Sequence, residues 1–431
     1  MNGPESKRAE TKVITLGCRL NAYESDIMAG HARDMGLTNA VIINSCAVTS
    51  EAVRQSRQTI RRAHKDNPDT QIIVTGCAAQ IDPKAFADMP EVNRVFGNAE
   101  KMLAGTFDPA ALAASEPILV NDIMAVRETA PQLISGANRK SEKPQDRTRA
   151  FLQVQNGCDH RCTFCIIPFG RGPARSVPAG EVVAHVRNLV RQGYGEVVLT
   201  GVDLSSWGAD LPGTPPLGNL VRRVLKLVPE LKRLRLSSID PAEIDEALFE
   251  ALTTEPRMTP YLHLSLQAGD DMILKRMKRR HSRRGVTALC ARLKAARPEI
   301  TFGADMIAGF PTETDAMFEN GKSIISEIGI AWLHVFPYSP REGTPAANMP
   351  PVNGKTVKAR AKALREEGAR AAAAHLSSRL GDIDTALFEA GGIGRLADFT
   401  RVTLDNPPKA GQFASVKITA HDGEIARGQL V

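Results

Sequence analysis

Nowhere does the sequence hold an apolar run approaching the roughly 20 residues that cross a bilayer. Its opening stretch, MNGPESKRAETK, lacks the apolar core of a secretory leader, so a cytoplasmic protein is expected. In that compartment cysteines stay reduced and serve more often as ligands or catalysts than as staples. The odd count of seven cysteines also argues against a complete disulfide framework. No low-complexity tract, short-period repeat or sustained heptad appears, and a monomer is the expected state.

What the sequence does hold is 431 residues of ordinary globular composition, enough for two or three domains with sizeable cores. The net charge of +7 suits a polyanionic partner. Two clusters sharpen this: Arg54, Arg57, Arg61, Arg62 and Lys65 at helical spacing, then Lys275, Arg276, Lys278, Arg279, Arg280, Arg283 and Arg284. Either cluster is readable as a solvated helix face or as a grip on phosphates.

The first segment alternates strand and helix. Strands are expected at Lys12–Gly17, Ala40–Ser45 and Gln71–Gly76, with helices over 22–35 and 49–64 between them. That alternation predicts a parallel sheet covered by helices. A polar, aperiodic linker is expected over 128–149. The second segment repeats the strand–helix beat six times, with strands at 150–155, 196–200, 233–237, 261–266, 301–307 and 332–336. Six units are two short of a closed eight-stranded barrel, so a partial, open barrel is expected. A helix over 357–380 and a small antiparallel β-barrel end the chain.

Cys158, Cys162 and Cys165 form C-x-x-x-C-x-x-C directly after a strand. Three thiolates on one tight loop can hold three irons of a [4Fe–4S] cube and leave the fourth open. Zinc would want a fourth ligand, for which only His160 is near at hand. Cys18, Cys46 and Cys77 each follow a strand of the first segment. Strand ends of a parallel sheet share one edge, so these three can converge on a second site. The alternative is three small buried hydrophobes. Cys290, between Leu289 and Leu293, reads as core.

The loop cysteines, with Phe164 as the intervening aromatic, resemble the radical-SAM superfamily. The upstream cysteine triplet and the terminal barrel make the chain similar to the methylthiotransferases. In that family the parts are a cluster domain, here 11–127, a central partial (βα)6 barrel, 145–375, and a TRAM-like β-barrel, 380–431. TLGCRLNAYESD and INSCAVTSEAVRQSRQTIRR look like the branch acting on threonylcarbamoyladenosine 37 of tRNAs reading ANN codons. The resemblance implies two [4Fe–4S] clusters, on Cys18, Cys46 and Cys77 and on Cys158, Cys162 and Cys165. It implies S-adenosylmethionine as radical source and methyl donor, held near Phe164, Gly201, Ser237, Gln267 and Asp305. The implied partners are the tRNA anticodon loop and a flavodoxin-type electron donor. No general acid or base is singled out, since the unactivated C2–H of adenine yields to a radical and not to acid–base catalysis. Arg171 and Arg175 are candidates for contact with an anionic group beside the loop cluster, or equally for pairing with acidic neighbours. Two features depart from the family: His281 stands where Tyr is usual, and the terminal barrel carries more acids than bases. Rival readings are an enzyme acting on isopentenyladenosine or a ribosomal protein, and a non-catalytic, metal-stabilised RNA-binding protein.

Overall fold

The structure is a computed structural model that describes residues 10–127 and 148–431, so the expected linker lies almost wholly outside the described residues. Its contacts divide the chain into two compact units. Gln155–His160 and Cys165–Arg175 pack with the N-terminal unit, whereas Arg161–Phe164 and Ser176–Val431 belong to the second.

In the first unit five strands form one parallel sheet in chain order: β1 (Lys12–Thr15), β2 (Ala40–Ser45), β3 (Gln71–Gly76), β4 (Arg94–Phe96) and β5 (Ile118–Leu119). The last two were not foreseen, because runs of three and two residues carry no usable periodicity. Helices α1 (Arg19–Asp34) and α2 (Ser50–Asp66) follow β1 and β2. Both faces of the sheet are covered. Ile43, Ile72 and Val74 pack with Ile60 of α2, while Ile42 and Ile73 pack with Met28 of α1 and Phe107. Burial on both sides is why β2 and β3 read as nearly unbroken apolar runs.

The second unit opens with β6 (Arg149–Gln153). The short β7 (Gln155–Asn156) and β8 (Arg175–Ser176) flank the cysteine loop in sequence. Then come β9 (Glu196–Thr200), β10 (Arg233–Leu236), β11 (Tyr261–Gln267), β12 (Thr301–Ala308) and β13 (Ile330–Pro337). Two parallel sheets, β10-β9-β6 and β11-β12-β13, are joined by the bridges Leu234–Met258 and Ile239–Leu264. The result is the six-stranded open barrel that the strand count implied. One face packs under helices: Lys294 lies over Phe302, and Leu333 meets Gly368 of the helix Gly354–Ser378. The other face carries Gln153, Glu196, Arg235, Tyr261, His263 and Asp305, a polar set that a core would not tolerate without partners.

Strands β14 (Ile383–Phe388), β15 (Ile393–Arg395), β16 (Arg401–Thr403), β17 (Phe413–His421) and β18 (Ala426–Leu430) close the terminal barrel. It is antiparallel except where β16 meets β18 in parallel. Phe399, held at φ 77°, stacks on Tyr261 with ring centroids 5.0 Å apart. Arg395, Arg235 and Arg149 surround that ring at 4.4, 5.1 and 5.6 Å. Glu389 pairs with Arg149 at 2.7 Å, and Asp398 pairs with Arg379 and with His375 at 3.0 Å. The acid excess of this barrel is thus spent on docking to arginines and a histidine of the preceding segments. Burial alone would raise the Asp398 pKa, but His375 and Arg379 outweigh it and hold it at about 2. Asp398→Asn is expected to cost about 2–3 kcal/mol at neutral pH. Because the native value lies below that of an unfolded Asp, near 4, the difference from the parent should narrow as pH falls from about 4 toward 2. Denaturant unfolding at several pH values checks it.

Candidate active site

Every strand of a parallel sheet ends on the same edge, and the three upstream cysteines stand on that edge. Cys18 is the N-cap of α1, Cys46 directly follows β2, and Cys77 directly follows β3 as the first residue of α3 (Cys77–Ile81). Gly17, at φ +98°, passes so close to Cys46 that a Cβ there would sit 2.8 Å from its sulfur. Gly76, also at φ +98°, would drive a Cβ to 2.3 Å from the Ser45 carbonyl oxygen. The thiols lie within electrostatic reach of one another. Burial pushes the Cys46 thiol up to about 11, so metal binding there must expel a proton.

Behind the cysteines lies a buried set of charges. Arg171 donates from Nε to Cys77 Sγ at 3.0 Å, from both Nη atoms to Glu24, and from Nη2 to Asn21 Oδ1. Lys101 Nζ donates to Glu24 Oε2 at 2.7 Å and to Asn44 Oδ1 at 3.3 Å. Glu24, Lys101 and Arg171 are all at most 1% exposed in their side chains. Burial would raise the Glu24 pKa, but the two cations overcome it and hold the carboxyl below its usual range. Two cations against one carboxylate leave a positive charge in a dry site, which a thiolate-bound cluster of net negative charge would balance. Of the two readings of Arg171, the structure shows the pairing with an acidic neighbour, Glu24. The arginine's sulfur partner is Cys77 of the upstream triplet.

In the loop motif, Cys158 N donates to the Gly172 carbonyl at 3.1 Å. Within the second unit, Arg279 Nη1 donates to Cys162 Sγ at 3.6 Å, and Thr163 is fixed by Met277 O and Arg276 O. This corrects the expectation for the second basic cluster, which is largely an internal brace. Arg279 and Arg280 pair with Asp240, Arg280 also with Glu243, and Arg283 with Glu327. Lys275, Lys278 and Arg284 stay exposed. The basic face of α2 is looser, with Arg54 and Arg62 in solvent-exposed pairs that hold little energy. Cys290 is 2% exposed and its thiol is pushed up to about 12 by burial, as a core residue would be.

The remaining candidates belong to the second unit, and each is buried or half-buried. Phe164 packs edge-on against Phe310, with centroids 6.4 Å apart. Gly201 follows β9, Ser237 follows β10, and Gln267 ends β11 at φ 70°. Asp305 Oδ1 bonds His263 Nε2 at 3.0 Å and His334 Nδ1 at 3.2 Å, and Tyr261 OH bonds His263 Nδ1 at 2.8 Å. The histidines were missed. They sit on β11 and β13, the strands either side of the β12 that carries Asp305, and only strand register brings them to one carboxylate. Ser237 Oγ and Gln153 Oε1 are buried without a hydrogen-bond partner among the described residues. Buried polar atoms left open in this way fit a polar ligand there.

Fold and site together define a radical-SAM enzyme with an added three-cysteine domain. The Radical SAM superfamily profile matches residues 152–320, and Uncharacterized protein family UPF0004 matches residues 10–97. The chain is 51% identical to threonylcarbamoyladenosine tRNA methylthiotransferase MtaB of Rickettsia prowazekii (strain Madrid E), over 94% of each chain. It belongs to that methylthiotransferase family. It is 32% identical to tRNA-2-methylthio-N(6)-dimethylallyladenosine synthase of Erythrobacter litoralis (strain HTCC2594), over 97% of this chain and 93% of the other. Among solved structures, the radical S-adenosylmethionine methyltransferase TsrM of Kitasatospora setae shares the fold at TM-score 0.56 and 14% identity, covering 79% of this chain and 77% of its own. No helix among the described residues is long and apolar enough to cross a membrane.

Proposed function

We propose that this chain is a two-cluster radical-SAM enzyme that inserts a methylthio group at C2 of N6-threonylcarbamoyladenosine 37 in tRNA. The observation that carries the reading is the convergence of Cys18, Cys46 and Cys77 on one sheet edge above a buried, cation-rich cage. The relative of that name, 51% identical, supports the substrate. Cys158, Cys162 and Cys165 would hold one [4Fe–4S] cluster and the upstream triplet a second, each one ligand short of closure. Loaded, the first site would supply a 5′-deoxyadenosyl radical from S-adenosylmethionine, and the second would supply sulfur for the methylthio group.

The chain's own side chains bind, orient and exclude water. Phe164, Gly201, Ser237, Gln267 and Asp305 line the cofactor and substrate space, with His263 and His334 holding the Asp305 carboxylate in place. Residue 37 lies in a single-stranded loop, so the base can be presented without melting a duplex. The exposed face of α2 with Lys275, Lys278 and Arg284 supplies phosphate contacts. A cytoplasmic monomer served by a flavodoxin-type reductant completes the reading.

Deleting the gene should remove the 2-methylthio form of threonylcarbamoyladenosine from tRNA digests, and re-expression should restore it. Mass spectrometry of the nucleosides checks this. Loss of the methylthio-isopentenyl nucleoside instead would move the chain to the neighbouring branch.

A further inference from the structure

We propose that Arg171 is a positioning residue that sets the reduction potential of the upstream cysteine site. The inference rests on the reading of Cys18, Cys46 and Cys77 as cluster ligands. Arg171 ends the helix Ile167–Arg171, six residues beyond Cys165. The segment that leaves the loop motif therefore delivers its cation to the other cysteine set. Asn98 Nδ2 donates to the Gly170 carbonyl and anchors that helix end.

The geometry is specific. One side of the guanidinium fork is held by Glu24 and Asn21, and Nε is left aimed at Cys77 Sγ, 3.0 Å away. A purely structural arginine would need only the carboxylate. Here the planar fork orients the remaining N–H at a sulfur that is to become a ligand, which a lysine ammonium cannot do while also spanning Glu24. Cys18 and Cys46 also lie within the field of the same cation. Adding an electron makes a thiolate-bound cluster more negative. A fixed, dry cation and an N–H···S contact favour that state, and both are established levers on cluster potential.

The test uses full-length protein in which Cys158, Cys162 and Cys165 are all changed to Ala, so that only the upstream site can load. After anaerobic reconstitution with iron and sulfide, iron is counted and the midpoint potential is read by EPR-monitored titration. Arg171→Met should shift the reduction equilibrium at least tenfold toward the oxidised form, about 59 mV for a one-electron couple. Arg171→Lys, which keeps the charge and loses the fork, should hold less iron than the parent and shift the potential less than Arg171→Met. It also serves where the Met variant fails to fold. Iron and potential both unchanged in Arg171→Met, or a lowered melting temperature with the potential intact, would overturn the proposal. A parent background that binds no iron at all would instead overturn the reading of the triplet.

Discussion

Cys77→Ala should separate the two halves of the reaction. Iron should fall from about two clusters' worth per chain to about one, while S-adenosylmethionine is still cleaved to 5′-deoxyadenosine. Methylthio transfer to tRNA should fall at least about a thousandfold, equivalent to roughly 4 kcal/mol or more on the barrier. The separation is expected because the six cysteines come from two different kinds of place. Cys77 follows β3 of the first-unit sheet, and its sulfur accepts from Arg171, which Glu24 and Asn21 hold. Cys162 is braced by Arg279 and by the turn at Arg276 and Met277. Cys162→Ala should therefore abolish 5′-deoxyadenosine formation as well as transfer, and the two variants form a matched pair. Anaerobic iron analysis with chromatography of both products makes the comparison. A Cys77→Ala protein holding the parent's iron would rule the upstream triplet out as a ligand set.

Glu24→Gln should be the most damaging single change outside the cysteines. Among the described residues the carboxylate is the sole anion bonded to both Arg171 and Lys101, and all three side chains are at most 1% exposed. A neutral amide of the same size leaves two desolvated cations facing each other. Breaking a buried pair in this way costs about 3–5 kcal/mol, which should lower the melting temperature by roughly 10 °C. The sign with pH follows from the depressed carboxyl. Its stabilisation is complete above the unfolded Glu value near 4.3 and is lost as pH falls through the lower folded value. The gap between parent and variant should accordingly close in acid. Changing Lys101 to Met in the same chain should recover part of the loss by removing one of the stranded charges. A double-mutant cycle by denaturant unfolding measures the recovery. A Glu24→Gln protein as stable as the parent would mean that Cys77 alone balances the guanidinium.

The ladder of strands and both cysteine sets were legible in the chain because they rest on local rules. β2 and β3 are apolar runs bounded by glycine or serine, and a cysteine directly after each can only stand at a strand end. The loop triplet is local by construction. β4 and β5 were hidden by their length, and the bracing role of the second basic cluster was hidden by sequence distance. Arg283 meets Glu327 and Arg280 meets Glu243, pairings that no spacing rule reports.

By itself, then, the order of residues determined the longer elements, which cysteines follow them and what family the pattern resembles. Tertiary structure alone decided which sulfur Arg171 touches, which histidines hold Asp305, and why the terminal barrel is acidic. The physical reason is range. Periodicity, capping and loop spacing act over a few residues, whereas a buried charge takes whatever partner the folded chain brings within about 3 Å. For Arg171 that partner set, Asn21, Glu24 and Cys77, comes from α1 and from the end of β3.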